Sequence, residues 1–164
     1  MSGRIFLLGD NIDTDQMAPG KYMRGGIDML AAHCLEGVRA DFPTDVRTGD
    51  VVVAGRNFGV GSSREQAAEA LKHLGVAAVV AQSFAGIFYR NAINLGLPVL
   101  VCPDISALTD GAYVTLDLEA ATLILTISGD TVALDPLPDN LKVLLADGGL
   151  IPHLKKRFAG ENVR

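Results

Sequence analysis

Tryptophan is absent from this 164-residue chain, and aromatic residues together reach only 5%. Cysteine is nearly as scarce. Cys34 and Cys102 lie far apart, which excludes a disulfide framework and a Cys-x-x-Cys site. His33, His73 and His153 have no metal-ligand spacing among themselves or with the cysteines, so they read as ordinary surface or half-buried residues. Charge is sparse too: 20% of residues are charged and the net charge is −5, with no basic stripe of the kind nucleic acid requires. No apolar run is long enough for a membrane. The richest, Val76–Phe88, is broken by Gln82 and Ser83 and falls short of the roughly 20 residues a span needs. The opening MSGRIFLLGDNIDTD has too short an apolar run for a signal peptide, and acids follow at once. These absences point to a cytoplasmic chain without membrane or nucleic-acid partners.

What is present is apolar and small. The set AVILMFWYC makes up 49% before the 18 glycines are added, where about 45–50% with glycine included is usual. Intrinsic disorder is therefore excluded. The length suits one domain over residues 1–164. The surplus has two readings, a very dry core or a face that a partner covers.

Arg4–Leu8 reads as a strand, and Asp10–Gly20 (DNIDTDQMAPG) as a loop. Ile27–Val38 has helical apolar spacing, and Arg39–Asp50 is a polar excursion. The middle alternates clearly: strand Asp50–Ala54, helix Ser62–Leu74 capped by Gly75, strand Val76–Ala81, helix Ser83–Leu95 followed by Gly96, strand Leu97–Val101. Short connections of this kind imply parallel pairing through right-handed crossovers. Beyond Pro103 the pattern becomes antiparallel, with strands over Tyr113–Leu118, Thr122–Ile127 and Thr131–Leu134. A helical piece around Pro138–Leu145 and a basic tail, KKRF, follow.

The segment Gly55–Glu65 (GRNFGVGSSRE) joins a buried strand to a helix and carries three glycines in its first seven residues. Glycine lets backbone turn tightly and approach a ligand closely. Ser62 and Glu65 have capping-box spacing. Unpaired amides at a helix start, with Arg64 adding a cation, suit a carboxylate or phosphate. Capping alone leaves Gly59, Gly61, Ser63 and Arg64 unexplained. A Walker loop would need Lys, and a dinucleotide fingerprint would need Gly where Arg64 stands. A small carboxylate held by Arg64 beside two hydroxyls fits better. Asp10, Asp13 and Asp15 do not form a calcium loop, because position 12 counted from Asp13 is Arg24; they read as turn-stabilising side chains.

Asp10–Gln16 (DNIDTDQ), Phe58–Glu65 (FGVGSSRE) and Ser83–Pro98 (SFAGIFYRNAINLGLP) together resemble the swivel domain of the aconitase superfamily. The form is that of the separate small subunits of 3-isopropylmalate dehydratases, and the likeness runs from about residue 5 to 155. It implies an α/β fold, the swivelling β/β/α domain of the aconitase C-terminal type. It implies half of a hydro-lyase: no cofactor on this chain, and a large subunit whose three cysteines hold a 4Fe–4S cluster, in a heterodimer or heterotetramer. The reaction implied is dehydration and rehydration of a hydroxy di- or tricarboxylic acid. Ser62 would be the general base and the cluster iron the Lewis acid on the departing hydroxyl. Ser63 and Arg64 would bind a substrate carboxylate, and Asp13, Asp15, Gly59, Gly61 and Glu65 would organise the surrounding loops. A serine hydroxyl is a poor base, so its ionisation needs strong anion stabilisation. Ser62 as base and Ser62 as N-cap both remain open.

Two positions depart from the family pattern. Val60 stands where Cys is frequent and Gln66 where His is frequent. Specificity in the resemblance is read after the Pro-Gly, where isopropylmalate enzymes have Tyr-Leu-Val-Met and homoaconitase-like ones Tyr-Leu-Arg-Thr. This chain has Tyr22-Met23-Arg24-Gly25. Arg24 beside a substrate's variable arm favours a carboxylate there. A surface arginine in a flexible turn is the equal alternative. Isopropylmalate stands first as the substrate of the commonest members, with homocitrate-type acids and dimethylmalate as alternatives. A non-catalytic carboxylate-binding module and self-association of the isolated chain also stay open.

Overall fold

Strands rich in valine and alanine, buried on both faces, fix the architecture. The computed structural model describes residues 2–161. Its parallel strands are β1 (Gly3–Leu7), β2 (Val51–Ala54), β3 (Ala78–Ala81) and β4 (Val99–Val101). The antiparallel strands are β5 (Tyr113–Asp117), β6 (Thr122–Leu125) and β7 (Thr131–Ala133). They form one seven-stranded sheet, ordered β4-β3-β2-β1-β5-β6-β7. Phe6 pairs with Val52, and Val52 with Val79, in parallel register. Gly3 pairs with Val114 where the sheet turns antiparallel.

Helices are α1 (Thr14–Met17), α2 (Gly26–Ala32), α3 (Phe42–Asp45), α4 (Gln66–His73), α5 (Gly86–Asn94), α6 (Asp139–Ala146) and α7 (Leu150–Glu161). A 3₁₀ turn spans Gly20–Gly25. Side chains of a strand alternate between faces, so the parallel strands feed two cores. Phe6, Val52 and Val79 pack with Leu71, Phe88 and Ala92 of the helices. Ile5, Val51, Val53 and Val80 pack with Val114, Leu123, Leu134 and Leu137. The antiparallel strands thus curl over the face that the helices leave open. Both crossover helices end in Schellman closures, Val76 N to Leu71 O past Gly75 and Leu97 N to Ala92 O past Gly96.

Several boundaries differ from expectation for local reasons. The helix expected from Ser62 starts at Gln66, since Ser62 is tied to another loop. The one expected from Ser83 starts at Gly86, because Ser83 and Ala85 bond Phe58 as extended chain. The helix expected to reach Val38 stops at Ala32; Leu35 turns left-handed (φ 59°) and donates its amide to Gln16 O. The supposed loop Asp10–Gly20 contains α1, and the polar excursion contains α3. The basic tail belongs to α7, with Pro152 tolerated in the first turn.

Candidate active site

Beyond the carboxyl ends of β1, β2 and β3 the chain keeps parallel company in irregular form. Gly59 N donates to Ile12 O, Thr14 N to Val60 O, and Phe58 N to Ser83 O. Asp10 Oδ1 accepts from Arg56 N at 2.7 Å, and Ser83 Oγ from Asn57 N at 2.8 Å. Three segments that the sequence motifs singled out therefore meet in one place. Open α/β sheets bind ligands at this end.

Asp13 caps α1, accepting from Gln16 N while Gln16 Oε1 accepts from Asp13 N. The capping box of this protein is thus Asp13–Gln16, not Ser62–Glu65. Glu65 is the N-cap of α4 through its backbone, with no side-chain capping bond. Ser62 lies upstream, exposed, with its N–H donated to Thr14 Oγ1 at 3.0 Å and its Oγ 3.1 Å from the same atom. The two roles left open for Ser62 are thereby separated: it is not an N-cap.

Gly59 (φ 83°) and Gly61 (φ 119°) both sit in the left-handed region. A Cβ on Gly61 would stand 2.9 Å from Thr14 Oγ1, so glycine is what admits the threonine. Backbone amides of Ser63, Arg64 and Glu65 have no protein acceptor among the described residues, and Asn91 Nδ2 donates to Ser63 O at 3.2 Å. Three free amides at the start of a helix are donors of the kind that can pair with an anion.

Arg64 is half-buried, its Nη1 donating to Asp15 Oδ1 at 2.8 Å and Ala18 O at 2.7 Å. Its Nε and Nη2 have no protein acceptor among the described residues, so the guanidinium is anchored on one side and open on the other. Asp15 Oδ1 also accepts from Gly20 N, the first residue of the 3₁₀ turn. The Arg64 guanidinium, then the Gly20 amide, hold the Asp15 carboxyl below the usual carboxylate range. Asp15 therefore links Arg64 to the turn that carries Arg24.

Arg24 is exposed at the end of that turn. The turn is fastened to the end of α2 by Tyr22, whose ring stacks on His33 at 3.7 Å and whose hydroxyl donates to Glu36 at 3.3 Å. His33 Nδ1 lies 2.6 Å from Glu36 and holds that carboxyl below its ordinary range. Beside the site, a cleft of about 490 Å³ is lined by residues including Gln82, Phe84, Tyr89 and Arg90. It does not include Ser62.

Ser62, Ser63, Arg64, Asp13, Asp15, Gly59, Gly61 and Glu65 thus gather on two adjoining loops, with Arg24 reached through Asp15. Sequence reasoning missed Thr14 and Asn91, and only the Asp13-x-x-Gln16 box hinted that Thr14 opens a helix. No group of three or more His, Cys, Asp or Glu among the described residues could hold a metal. Cys34 is buried in the helix-side core and Cys102 in the opposite one, and burial raises both thiols. They do not fit an iron–sulfur cluster. No helix among the described residues is long and apolar enough to cross a membrane.

The family described as Aconitase C-terminal domain matches residues 12–104. The chain is 50% identical over 155 residues to a methanogen homoaconitase small subunit from Methanothermobacter thermautotrophicus, covering 94% of this chain and 90% of the relative. It is 48% identical over 156 residues to 3-isopropylmalate dehydratase small subunit 1 of Methanopyrus kandleri, covering 94% and 92%. A crystal structure of 3-isopropylmalate dehydratase from Methanocaldococcus jannaschii superposes with a TM-score of 0.93 at 43% identity, covering 98% of this chain and 96% of that one.

Proposed function

The chain belongs to the aconitase C-terminal domain family, with the swivel-type α/β fold of 3-isopropylmalate dehydratase small subunits, and from that premise we propose what its site does. It is the small subunit of a hydro-lyase and acts as one swivel domain over its whole length. It dehydrates and rehydrates a hydroxy di- or tricarboxylic acid only when a large subunit closes the site. The observation that carries this reading is Ser62 itself, exposed beside free amides and a half-open Arg64.

Ser62 Oγ removes the proton next to a substrate carboxylate, while Ser63, Arg64 and the free amides hold that carboxylate. Departure of the hydroxyl is the task of the large subunit, where the 4Fe–4S cluster belongs. Exposed Ile87 in the first turn of α5 and Met29 beside Gly25 give a partner apolar contact. That is one part of the apolar surplus. Co-expression with the large subunit tests the reading. Turnover of hydroxy acids is expected from the pair and from neither chain alone; an assembled pair with no turnover would leave a carboxylate-binding module.

For the substrate, Arg24 favours an acid with a carboxylate on its variable arm; relatives named homoaconitase small subunit stand beside those named 3-isopropylmalate dehydratase small subunit. A charge-assisted hydrogen bond contributes about 1.5–3 kcal/mol. Arg24→Val is therefore expected to raise KM about 10- to 150-fold for a homocitrate-type acid, leaving isopropylmalate unchanged or improved. Equal KM changes on both acids would return Arg24 to the role of a surface residue.

A further inference from the structure

The hydroxyl of Thr14 has one proton to give and two lone pairs to offer. Both of its partners belong to Ser62. The Ser62 N–H, 3.0 Å away, can only donate, so it takes a lone pair of Thr14 Oγ1. Ser62 Oγ lies 3.1 Å away and can take either part. Thr14 is only 2% exposed, and no other acceptor reaches its hydroxyl among the described residues. Threonines inside helices commonly give their proton to a carbonyl of the preceding turn. Thr14 is the first residue of α1 and has no preceding helical turn. Its proton therefore has a single acceptor, Ser62 Oγ.

We infer that Thr14 is a positioning residue for Ser62, donating its proton to Ser62 Oγ so that the serine proton points away from the threonine, towards the exposed side. The inference rests on the reading of Ser62 as the base. A chain of two bonds results, from Ser62 N–H to Thr14 Oγ1 and from Thr14 O–H to Ser62 Oγ. Each bond polarises the next. When Ser62 ionises, its proton passes to solvent, Thr14 keeps its own, and the bond to the oxyanion strengthens. The proton Ser62 then accepts comes from the substrate carbon, whose C–H pair becomes the new double bond. Gly61 belongs to the device, since a side chain there would crowd Thr14 Oγ1.

A thiol at position 62 reports this bond without turnover. In the full chain carrying Ser62→Cys, the pH midpoint of alkylation by iodoacetamide is measured with Thr14, Thr14→Val and Thr14→Ser. The unsubstituted chain, with its two buried cysteines, supplies the background. Thr14→Val is expected to raise the midpoint by about one unit, the size of one charge-assisted hydrogen bond, and Thr14→Ser to leave it in place. Thr14→Ala replaces the valine variant if that does not fold. Equal midpoints in all variants would overturn the inference. In the complex with the large subunit, Thr14→Val is expected to lower kcat about tenfold with KM within about twofold, and Thr14→Ser to restore it. A rise in KM at unchanged kcat would overturn it as well. Should Ser62→Ala retain turnover while the thiol midpoints still differ, the base assignment fails and the hydrogen bond stands.

Discussion

Ser62→Ala in the assembled complex is expected to lower kcat by about 10²- to 10⁴-fold, the ordinary contribution of a positioned general base. That range corresponds to about 3–5 kcal/mol of barrier. The substitution is unusually clean here. Only Oγ is removed, the backbone N–H of Ser62 keeps its bond to Thr14 Oγ1, and α4 loses no cap because its N-cap is Glu65. Position 62 is exposed, so a water in the space vacated by Oγ can accept the hydrogen bond of the otherwise buried Thr14 hydroxyl. Co-elution with the large subunit and the unfolding temperature should therefore match the unsubstituted chain. KM should move little, since Ser63, Arg64 and the free amides still hold the carboxylate. Initial rates of formation of the unsaturated acid, followed by ultraviolet absorbance, read the effect. Retained turnover would remove Ser62 from the chemistry.

The parallel strands and the glycine ends of α4 and α5 were legible because they rest on local signals: unbroken valine–alanine runs and a glycine two residues past the last helical one. The second loop's turn at Gly59 and Gly61 was legible as well, since both glycines adopt the left-handed backbone that the Gly-x-Gly pattern suggests. What escaped was everything set by pairs distant in sequence. Thr14 meets Ser62 across 48 residues and Asp15 meets Arg64 across 49, and neither pairing leaves a trace in spacing. The misplaced capping box shows the reason. Ser-x-x-Glu is a statistical signature of a helix start, but Thr14 claims the Ser62 amide and Gly61 bends the backbone, so the helix begins one turn later. The true box, Asp13-x-x-Gln16, starts a helix of only four residues, too short to show periodicity.

Gly59→Ala is expected to destabilise the chain by about 2–5 kcal/mol and to lower Tm by roughly 4–20 °C, measured by thermal unfolding. Two costs combine. The residue has φ 83°, where an alanine loses about 1–2 kcal/mol. Its Cβ would stand 2.2 Å from Phe88 Cγ and 2.3 Å from Phe88 Cβ, distances that force movement. Phe88 has little freedom, being 1% exposed and packed edge-on against Phe58 at 5.2 Å. Overpacking of this kind adds about 1–3 kcal/mol. Gly111→Ala separates the two costs, because Gly111 has φ 76° but open space where its Cβ would be. It should show the conformational cost alone, and an equal loss from both substitutions would mean the Phe88 contact contributes nothing. Since Gly59 N also bonds Ile12 O, any shift is transmitted to the segment that holds Thr14, so activity should fall below the melting transition too. The two glycines of Gly-Val-Gly are therefore fixed by two different side chains, Phe88 behind one and Thr14 behind the other. Their spacing follows from packing against those two side chains.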